Sequence, residues 1–226
     1  MEEYNETTDG ELIKKAKTTK FPTPFSKEGP LFSDEERIDY IADKFRDIMI
    51  ALGLDIEDPS LSRTPYRVAK MYVNEIFSGL NDDGFPPIRY VENQFQHSKT
   101  GNMVFVKVNV SSFCEHHFVP FIGTAYVAYI PNEKVIGLSK IPRLVNYFSQ
   151  RPQIQERLTA QIADSLSLLL GTKSVAVSIS AQHYCMISRG IEDAASWTTT
   201  NIFKGEFETD GEVRGQFFEA INRKTN

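Results

Sequence analysis

The chain has 226 residues, of which 41% are hydrophobic and 24% charged, and its formal net charge is -5. This composition is that of a globular protein large enough for one well-packed domain with a helical appendage. The acidic balance argues against generic binding to nucleic acid or to membrane surfaces, and no apolar run reaches the length of a transmembrane helix.

Residues 1–32 are expected to form a flexible extension, because they are polar and are interrupted by Pro22, Pro24 and Pro30. They contain no apolar stretch of the kind found in a secretory signal. The chain has only two cysteines, a usage that fits reduced thiols. These features together predict a cytoplasmic protein.

Two helices are predicted next, within a helical N-terminal part that spans residues 33–95. The sequence at residues 33–36 is a capping box, and apolar residues then recur at helical spacing up to Gly53. Thr64 and Pro65 are typical of an N-cap followed by the first helical residue, and Gly79 ends the second helix.

The hydrophobic period changes to two from Met103 onward, which indicates strands within a second part, residues 96–226. An amphipathic helix that ends at Gly171 interrupts them. The predicted elements are strands at residues 104–110, 125–130, 135–138 and 175–182 and a helix at residues 154–169. This order predicts an α+β fold with mostly antiparallel pairing.

Both cysteines lie beside histidines, and three of the four histidines of the chain are involved. Cys114 and His117 form a Cys-x-x-His pair, and Cys185 supplies a distant third candidate ligand. Thiolate and imidazole are ligands that zinc prefers, and three protein ligands leave a fourth tetrahedral position for water, as in catalytic zinc sites. His116 and His183 are left as candidate acid–base groups beside that position.

Other interpretations of these residues stay open at this level. The cysteines are also compatible with buried apolar thiols or, in a secreted protein, with a disulfide, and the two spare histidines with structural roles. If strand alternation continues past Gln182, His183 and Cys185 lie together on the buried face of one strand, which favours a site. A β-bulge near Gln182 would break that relation.

Several cations are candidates for binding an anionic substrate. Ser139 precedes a lysine and an arginine where a strand passes into a helix, a setting that suits phosphate, although a solvated basic helix end is the alternative. An arginine four residues after Cys185 must lie near any metal held there. The candidates are Ser139, Lys140, Arg143, Arg189, Arg67 and Lys70.

Gln155 and Glu156 lie near the start of the long amphipathic helix, outside its apolar stripe. A carboxylate beside an amide suits a guanine edge, because the carboxylate accepts from the ring N–H and the exocyclic amine. The alternative is an acid in the first helical turn, stabilised by the helix dipole. Zinc ligands, spare histidines, a base-reading carboxylate and cations together indicate hydrolysis of a purine nucleotide.

Five strings of this sequence resemble the GTP cyclohydrolase I family. They are Cys-Glu-His-His-Phe at 114–118, Val-Ile-Gly-Leu-Ser-Lys-Ile at 135–141, Arg-Pro-Gln-Ile-Gln-Glu-Arg-Leu-Thr at 151–159, His-Tyr-Cys-Met with Arg-Gly-Ile at 183–191, and Thr-Pro-Tyr-Arg-Val-Ala-Lys-Met-Tyr at 64–72. The similarity implies the tunnelling fold, an antiparallel sheet with helices packed on one face, preceded by a helical N-terminal part. Residues 96–226 would then be the catalytic domain.

The resemblance also implies an activity and a role for each candidate. The reaction would convert GTP and water to 7,8-dihydroneopterin triphosphate and formate, the first step of pterin and tetrahydrofolate biosynthesis. Cys114, His117 and Cys185 would hold Zn2+, while His116 and His183 would transfer protons. Guanine would be bound by Gln155 and Glu156, and the ribose and triphosphate by Ser139, Lys140, Arg143, Arg189, Arg67 and Lys70. The resemblance further implies a homodecamer with sites at subunit interfaces, and no nucleic-acid or membrane partner.

Three other classes of protein compete with this interpretation. A nitrile reductase of queuosine synthesis uses a cysteine nucleophile and a nicotinamide without zinc, which leaves the Cys-x-x-His pair unexplained. A nucleobase deaminase requires a Cys-x-x-Cys motif, which this chain lacks. A zinc-stabilised binding module would need a fourth protein ligand, for which His116 and His183 are the nearby candidates.

Overall fold

The computed structural model describes residues 5–6, 9–29, 32–93 and 103–223. The boundary predicted between residues 95 and 96, and parts of the extension predicted at residues 1–32, lie outside these described residues. No helix in the described ranges combines the length and apolarity needed to cross a bilayer.

The first part of the chain is mostly helical and contains both helices predicted within residues 33–95. Its elements are β1 (Asn5–Glu6), α1 (Gly10–Thr18), α2 (Asp34–Ala51), α3 (Thr64–Met71), a π-helical turn (Tyr72–Ile76), two 3-10 turns (Ser78–Leu80 and Asp82–Gly84) and β2 (Arg89–Glu92).

The rest of the chain alternates strands and helices. Its elements are β3 (Val104–Cys114), β4 (Pro120–Tyr129), β5 (Lys134–Ile136), α4 (Lys140–Ser149), β6 (Pro152–Gln153), α5 (Gln155–Leu170), β7 (Val175–His183), α6 (Tyr184–Ile187), β8 (Thr198–Lys204), α7 (Glu206–Thr209) and α8 (Gly211–Asn222).

The main sheet has five strands in the order β6-β3-β4-β7-β8. All neighbours pair antiparallel except β6, which is parallel to β3. The register places Phe121 opposite His183 and Ala181 opposite Thr198. The ends of β3 and β7 and the beginnings of β4 and β8 therefore meet at one end of the sheet, which we call the site end, and the opposite end is the far end.

The core lies between one face of this sheet and helices α4 and α5. Alternate residues such as Val127 and Val177 are fully buried against Leu144 and Ile162 of those helices. This arrangement confirms the predicted α+β fold with an antiparallel sheet and helices on one face. The second face is covered near the far end by α7 and α8, which the sequence analysis did not predict.

The predicted helix starts hold closely, whereas the second helix passes into a π-helical turn after Met71, before its predicted end at Gly79. Ser33 is the N-cap of α2, and its reciprocal hydrogen bonds with Glu36 form the predicted capping box. The helix at α3 differs by one position: Thr64 is its first residue, and Arg63 occupies the N-cap without a side-chain hydrogen bond. Gly171 ends α5 with a φ of 63°, the left-handed conformation typical of a C-cap glycine.

Strand β4 begins at Pro120, five positions before its predicted start. Apolar and polar residues do not alternate regularly there, because Gly123 has no side chain and interrupts the pattern. A Cβ at Gly123 would lie 2.0 Å from the Ser180 carbonyl oxygen, so glycine is required by the close approach of the β7 backbone.

The N-terminal extension contains a docked segment, which differs from the expectation of a flexible tail. Helix α1 packs against α5, and Ala16 of α1 is fully buried. The Lys20 backbone N–H donates to the Asp164 carboxylate, and the Phe21 carbonyl accepts from Gln161. The prolines permit an extended path here, and buried polar side chains of α5 satisfy its backbone groups.

Candidate metal centre and surrounding site

Three predicted metal ligands meet at the site end of the sheet. Cys114 is the last residue of β3, His117 lies in the turn that follows, and Cys185 lies in α6. One ligand atom from each lies within 4.8 Å of the other two. The distance from Cys114 Sγ to His117 Nδ1 is 3.8 Å, close to the edge of roughly 3.5 Å expected for a tetrahedral zinc site with one sulfur and one nitrogen. The donor set therefore fits Zn2+.

A tight turn brings His117 back over Cys114. The Cys114 N–H donates to the Val119 carbonyl, and the Phe118 N–H donates to the Cys114 carbonyl. Phe118 has a φ of 54°, an uncommon conformation for a bulky residue, and its ring packs 5.2 Å from that of Phe77. Aromatic packing against the N-terminal helical part therefore holds this turn in place.

Cys185 reaches the site in a different way from that predicted. His183 continues the buried face of β7, as expected, but β7 ends there and Cys185 lies one helical residue after Tyr184 in α6. Pairing with β4 ends at Phe121, so the chain beyond His183 has no neighbouring strand and turns into a helix. The prediction that both residues share one strand face is wrong for Cys185.

The two thiols lie close enough to influence each other, and both are free. Burial raises the pKa of the Cys185 thiol, and the neighbouring Cys114 raises it further. A cation between two sulfur atoms reverses this trend, because it stabilises both thiolates. The pair is therefore suited to a metal ion and poorly suited to two bare thiolates.

His116 lies beside the group without joining it. Its Nδ1 is 3.8 Å from Cys114 Sγ, the same distance as that of His117. Its side chain is 64% exposed, and it is absent from the set of mutually close ligand atoms. The structure therefore places His116 at the open side of the site, where an acid–base group could meet a substrate.

The turn is tied to α5 by an ion pair that the sequence analysis missed. Arg157 Nη1 and Nη2 donate to the two carboxylate oxygens of Glu115 at 2.5 and 3.2 Å. This guanidinium hydrogen bond holds the pKa of Glu115 below its usual value. No pattern in a single sequence links residues 42 positions apart, although both lie in strings that resemble the family.

His183 is held by the amide of Gln155, the first residue of α5. The distance from His183 Nε2 to Gln155 Oε1 is 2.7 Å. Gln155 Nε2 donates to the Ile179 and Thr198 carbonyls, both at 3.0 Å, and to Thr200 Oγ1 at 3.1 Å. Gln155 is only 1% exposed, so its side chain faces the protein interior.

The ring of His183 stacks on Phe121, with centroids 4.7 Å apart and planes inclined by 12°. Burial lowers the pKa of His183, while the nearby Glu156 carboxylate acts in the opposite direction. Glu156 itself is exposed. Of the two residues predicted to bind guanine, only Glu156 offers its side chain to the outside.

Arg189 reaches the three-ligand group formed by Cys114, His117 and Cys185, as was predicted from its position four residues after Cys185. Its Nη1 lies 2.9 Å from His117 Nε2, and because a guanidinium has only donors, that nitrogen accepts. The Arg189 side chain is exposed. A cation thus lies at the rim of the three-ligand group.

The cations near the start of α4 lie elsewhere. Helix α4 follows β5, whose Ile136 N–H donates to the Tyr129 hydroxyl at the far end of the sheet. Tyr129 is eight residues from Phe121 along β4, which corresponds to roughly 27 Å. Lys140 is 8% exposed, whereas Ser139 and Arg143 are exposed, and Arg143 lines a separate cavity of about 360 Å³. The structure does not bring these residues to the metal group of their own chain.

Arg67 and Lys70 are exposed on α3. Lys70 Nζ lies 5.3 Å from the ring of its neighbour Tyr66. Among the described residues, neither shows a hydrogen bond or ion pair with the three-ligand group. The turn that continues α3 does approach the site, because the Tyr72 ring lies 6.4 Å from Phe118.

Comparison with known proteins gives a consistent result. The family model of GTP cyclohydrolase I matches residues 41–222. GTP cyclohydrolase 1 of Aeromonas hydrophila is 50% identical over 190 residues, 84% of this chain and 86% of that protein. GTP cyclohydrolase 1 of Erwinia tasmaniensis is 50% identical over 203 residues, 89% of this chain and 90% of that protein.

One solved structure is also similar over part of the chain. The archaeosine synthase QueF-Like in its apo form is 16% identical, and the match covers 47% of this chain and 97% of that one with a TM-score of 0.40. A similarity of this level supports no conclusion about fold or function.

Proposed function

The chain belongs to the GTP cyclohydrolase I family, and we propose that it converts GTP and water to 7,8-dihydroneopterin triphosphate and formate with Zn2+ held by Cys114, His117 and Cys185. The observation that carries the proposal is the group of three ligand atoms within 4.8 Å of one another. It lies beside a held histidine in a chain that matches the family over most of its length. A zinc ion bound there supplies Lewis acidity that activates water near neutral pH.

The two histidines would transfer protons during hydrolysis of the guanine imidazole ring. His183, which is stacked on Phe121 and hydrogen-bonded to Gln155, would give a proton to a ring nitrogen. His116, which is exposed at the open side, would assist proton transfer to and from solvent. A second hydrolysis would release formate, and closure of the rearranged ribose onto the freed amine would complete the pterin.

Glu156 would recognise the guanine. Its carboxylate is exposed at the first turn of α5 and close enough to His183 to influence the histidine pKa. A carboxylate accepts two hydrogen bonds from the ring N–H and the exocyclic amine of guanine. Base recognition and proton transfer would then meet at the same end of α5.

Arg189 would bind the substrate phosphates or ribose. In the structure its guanidinium donates to His117 Nε2. With Nδ1 of His117 given to a metal, the ring proton belongs on Nε2, and a second donor cannot remain there. Arg189 would then turn outward to the anionic substrate.

The remaining phosphate-binding residues would come from other subunits of a homo-oligomer, which the family similarity suggests is a decamer. Ser139, Lys140 and Arg143 lie toward the far end, away from the metal group of their own chain. Arg67 and Lys70 are exposed on α3 and would add to this set. A neighbouring copy that presents its α4 would complete each site with cations.

We also propose that the protein acts in the cytoplasm, without a nucleic-acid or membrane partner, at the first step of tetrahydrofolate biosynthesis. The two free thiols support a reducing compartment. The net charge of -5 supports a small-molecule substrate over a nucleic acid.

The test is incubation of the purified protein with GTP, with formate release and pterin fluorescence as readouts. We expect both signals to disappear after chelation and to return with added zinc. The Cys185→Ser variant should lack both the metal and the activity. Turnover that is unchanged after complete metal removal would contradict the zinc assignment, and absence of formate would contradict the reaction.

A further inference from the structure

We propose that Gln155 is a positioning residue that fixes the tautomer of His183, with the ring proton on Nε2, so that Nδ1 is the nitrogen that exchanges a proton with substrate. The inference rests on the proposed role of His183 in proton transfer. It replaces the expectation that the Gln155 side chain binds guanine. The carrying observation is the set of four hydrogen bonds made by one enclosed amide.

The orientation of the Gln155 amide is dictated by its neighbours. One end of the amide faces the carbonyl oxygens of Ile179 and Thr198, both at 3.0 Å. Carbonyl oxygens only accept, so this end must be the NH2 group. The other end, 2.7 Å from His183 Nε2, must then be the carbonyl oxygen of the amide. An amide carbonyl accepts, which requires His183 Nε2 to carry a hydrogen.

Two threonines close the same network with a consistent direction. The Thr159 hydroxyl donates to the Gln155 backbone carbonyl at 2.8 Å, which uses its only hydrogen. The contact of 2.6 Å between Thr159 Oγ1 and Thr200 Oγ1 therefore takes its hydrogen from Thr200. Thr200 Oγ1 is left to accept from Gln155 Nε2 at 3.1 Å, so the two hydrogens of that NH2 group are shared among three acceptors. Every hydrogen-bond donor in this network has an acceptor. The Gln155 side-chain amide therefore cannot flip without losing hydrogen bonds.

The ring of His183 has little freedom to escape this arrangement. Its plane is held parallel to that of Phe121, and Nε2 is anchored on Gln155. Among the described residues, Nδ1 has no hydrogen-bond partner. The fixed tautomer therefore leaves a single ring nitrogen with a free lone pair when neutral, and with a free N–H when protonated.

This geometry divides the work between two adjacent residues. Gln155 is turned inward and acts on His183, whereas Glu156 is exposed and is left to recognise guanine. Replacement of Gln155 should therefore slow chemistry, because a wrongly oriented or wrongly protonated imidazole transfers protons poorly. Replacement of Glu156 should weaken substrate binding.

The direct test measures the tautomer in the unchanged protein. Solid-state NMR of the zinc-loaded protein with 15N-labelled histidine, above the pH at which His183 protonates, should show Nε2 protonated and Nδ1 bare. The His183→Asn variant assigns the signal. The opposite tautomer would overturn the proposal. Because no turnover is needed, this measurement stands even if the protein releases no formate from GTP, a result that would contradict the proposed function instead.

Kinetics of two matched variants provide the second test. We expect Gln155→Met to lower kcat by roughly 10- to 100-fold with KM for GTP changed by less than about threefold, and to abolish the single-tautomer signal. Glu156→Gln should instead raise KM and leave the His183 tautomer unchanged. A raised KM with unchanged kcat in Gln155→Met would show that the amide binds guanine, and would overturn the proposal.

Discussion

Two adjacent histidines in the turn after β3 have different environments although one sulfur lies equally far from both. Cys114 Sγ is 3.8 Å from Nδ1 of His116 and from Nδ1 of His117. Only His117 also lies within reach of Cys185. Distance to a single sulfur therefore does not distinguish the two histidines as candidate ligands, whereas closure of the three-residue group favours His117.

This difference predicts opposite metal contents for two alanine variants. His117→Ala should lose most of its zinc, because two ligands remain, while His116→Ala should keep about one zinc per subunit. His116→Ala should still lose activity, by roughly 10²–10⁴-fold for a positioned acid–base group. Zinc content after dialysis, measured by atomic absorption, checks both. Loss of zinc from His116→Ala would show that the ligands are wrongly assigned.

The Glu115–Arg157 pair joins the turn that carries His117 to helix α5, which begins with Gln155 and Glu156. Its side chains are 22% and 17% exposed, so solvent screens it only in part. Glu115→Gln should lower the free energy of unfolding by about 1–3 kcal/mol, because an amide cannot accept both guanidinium hydrogen bonds. The same change should weaken zinc binding, since the turn that carries His117 loses its support.

Urea denaturation of the metal-free protein and zinc titration measure these two effects separately. Glu57→Gln is the matched control, because Glu57 is 85% exposed and its contact with Arg46 is 4.0 Å long. That variant should change stability by less than about 0.5 kcal/mol. Equal effects of the two substitutions would contradict the structural role of the Glu115 pair.

At the scale of single residues, the sequence predicted which residues come together better than it predicted the direction in which each side chain points. The grouping of Cys114, His117 and Cys185 was predicted from ligand chemistry and spacing. The inward orientation of Gln155 was not, because it depends on carbonyls of β7 and β8 that lie 24 and 43 positions away. The position of Arg157 opposite Glu115 was hidden for the same reason.

Among the secondary-structure elements, those whose apolar residues recur at a regular spacing were predictable from the sequence. Those whose conformation depends on pairing with another strand or packing on another helix were not. Helix α5 and strand β7 were predicted to within one or two residues, because apolar spacing and Gly171 mark them. Strand β8, at Thr198–Lys204, was missed: five of its seven residues are polar, and its pairing with β7 decides its conformation.

Helix α1 shows how a polar segment can dock on a preformed surface. Ala16 is its buried residue, and Asp164, Gln161 and Arg151 receive the chain that follows. Arg151 Nη1 donates to Thr23 Oγ1 at 3.1 Å, which places residue 23 against the core. These contacts involve backbone and polar groups, which hydrophobic periodicity cannot reveal.

The docking of α1 predicts a local effect of a buried charge. Ala16→Asp should release the helix, because an unpaired carboxylate at a fully buried position costs more than about 1.4 kcal/mol and so raises the undocked population at least about tenfold. Cleavage within residues 10–25 under limited proteolysis should accelerate accordingly, while α5 remains protected. Lys14→Asp, on an exposed position of the same helix, is the control. Equal protease sensitivity of Ala16→Asp and the unchanged protein would show that α1 is not held by this contact.

At the scale of the whole molecule, the candidate metal ligands and the candidate phosphate-binding cations lie in different places. The three-ligand group and Arg189 occupy the site end of the sheet. The start of α4 lies toward the far end, because it follows β5, whose Ile136 N–H donates to the Tyr129 hydroxyl. One small chain with a formal charge of -5 therefore has only one of its candidate cations beside its own metal ligands. A triphosphate site that used all of these candidate cations would require a second copy, as proposed above.

Shared sites predict recovery of activity in mixtures of two inactive chains. Arg143→Glu keeps the metal group and repels the triphosphate, whereas Cys114→Ser keeps the cations and loses the metal. After subunit exchange at equal amounts, about a quarter of sites would combine both intact halves if neighbouring copies pair at random. We therefore expect roughly that fraction of the activity of the unchanged protein, measured as formate release.

The control for exchange is a mixture in which one chain carries a fluorescent donor and the other an acceptor. Arg143 is exposed, so its substitution should leave the fold intact, and sizing chromatography of each variant checks the assembly. If every site lies within one chain, no mixture contains an intact site, and activity stays absent even when energy transfer shows complete exchange. That outcome, or a fully active monomer, would end the proposal that the sites are shared, because each chain would then have to bring its own α4 cations to its own metal.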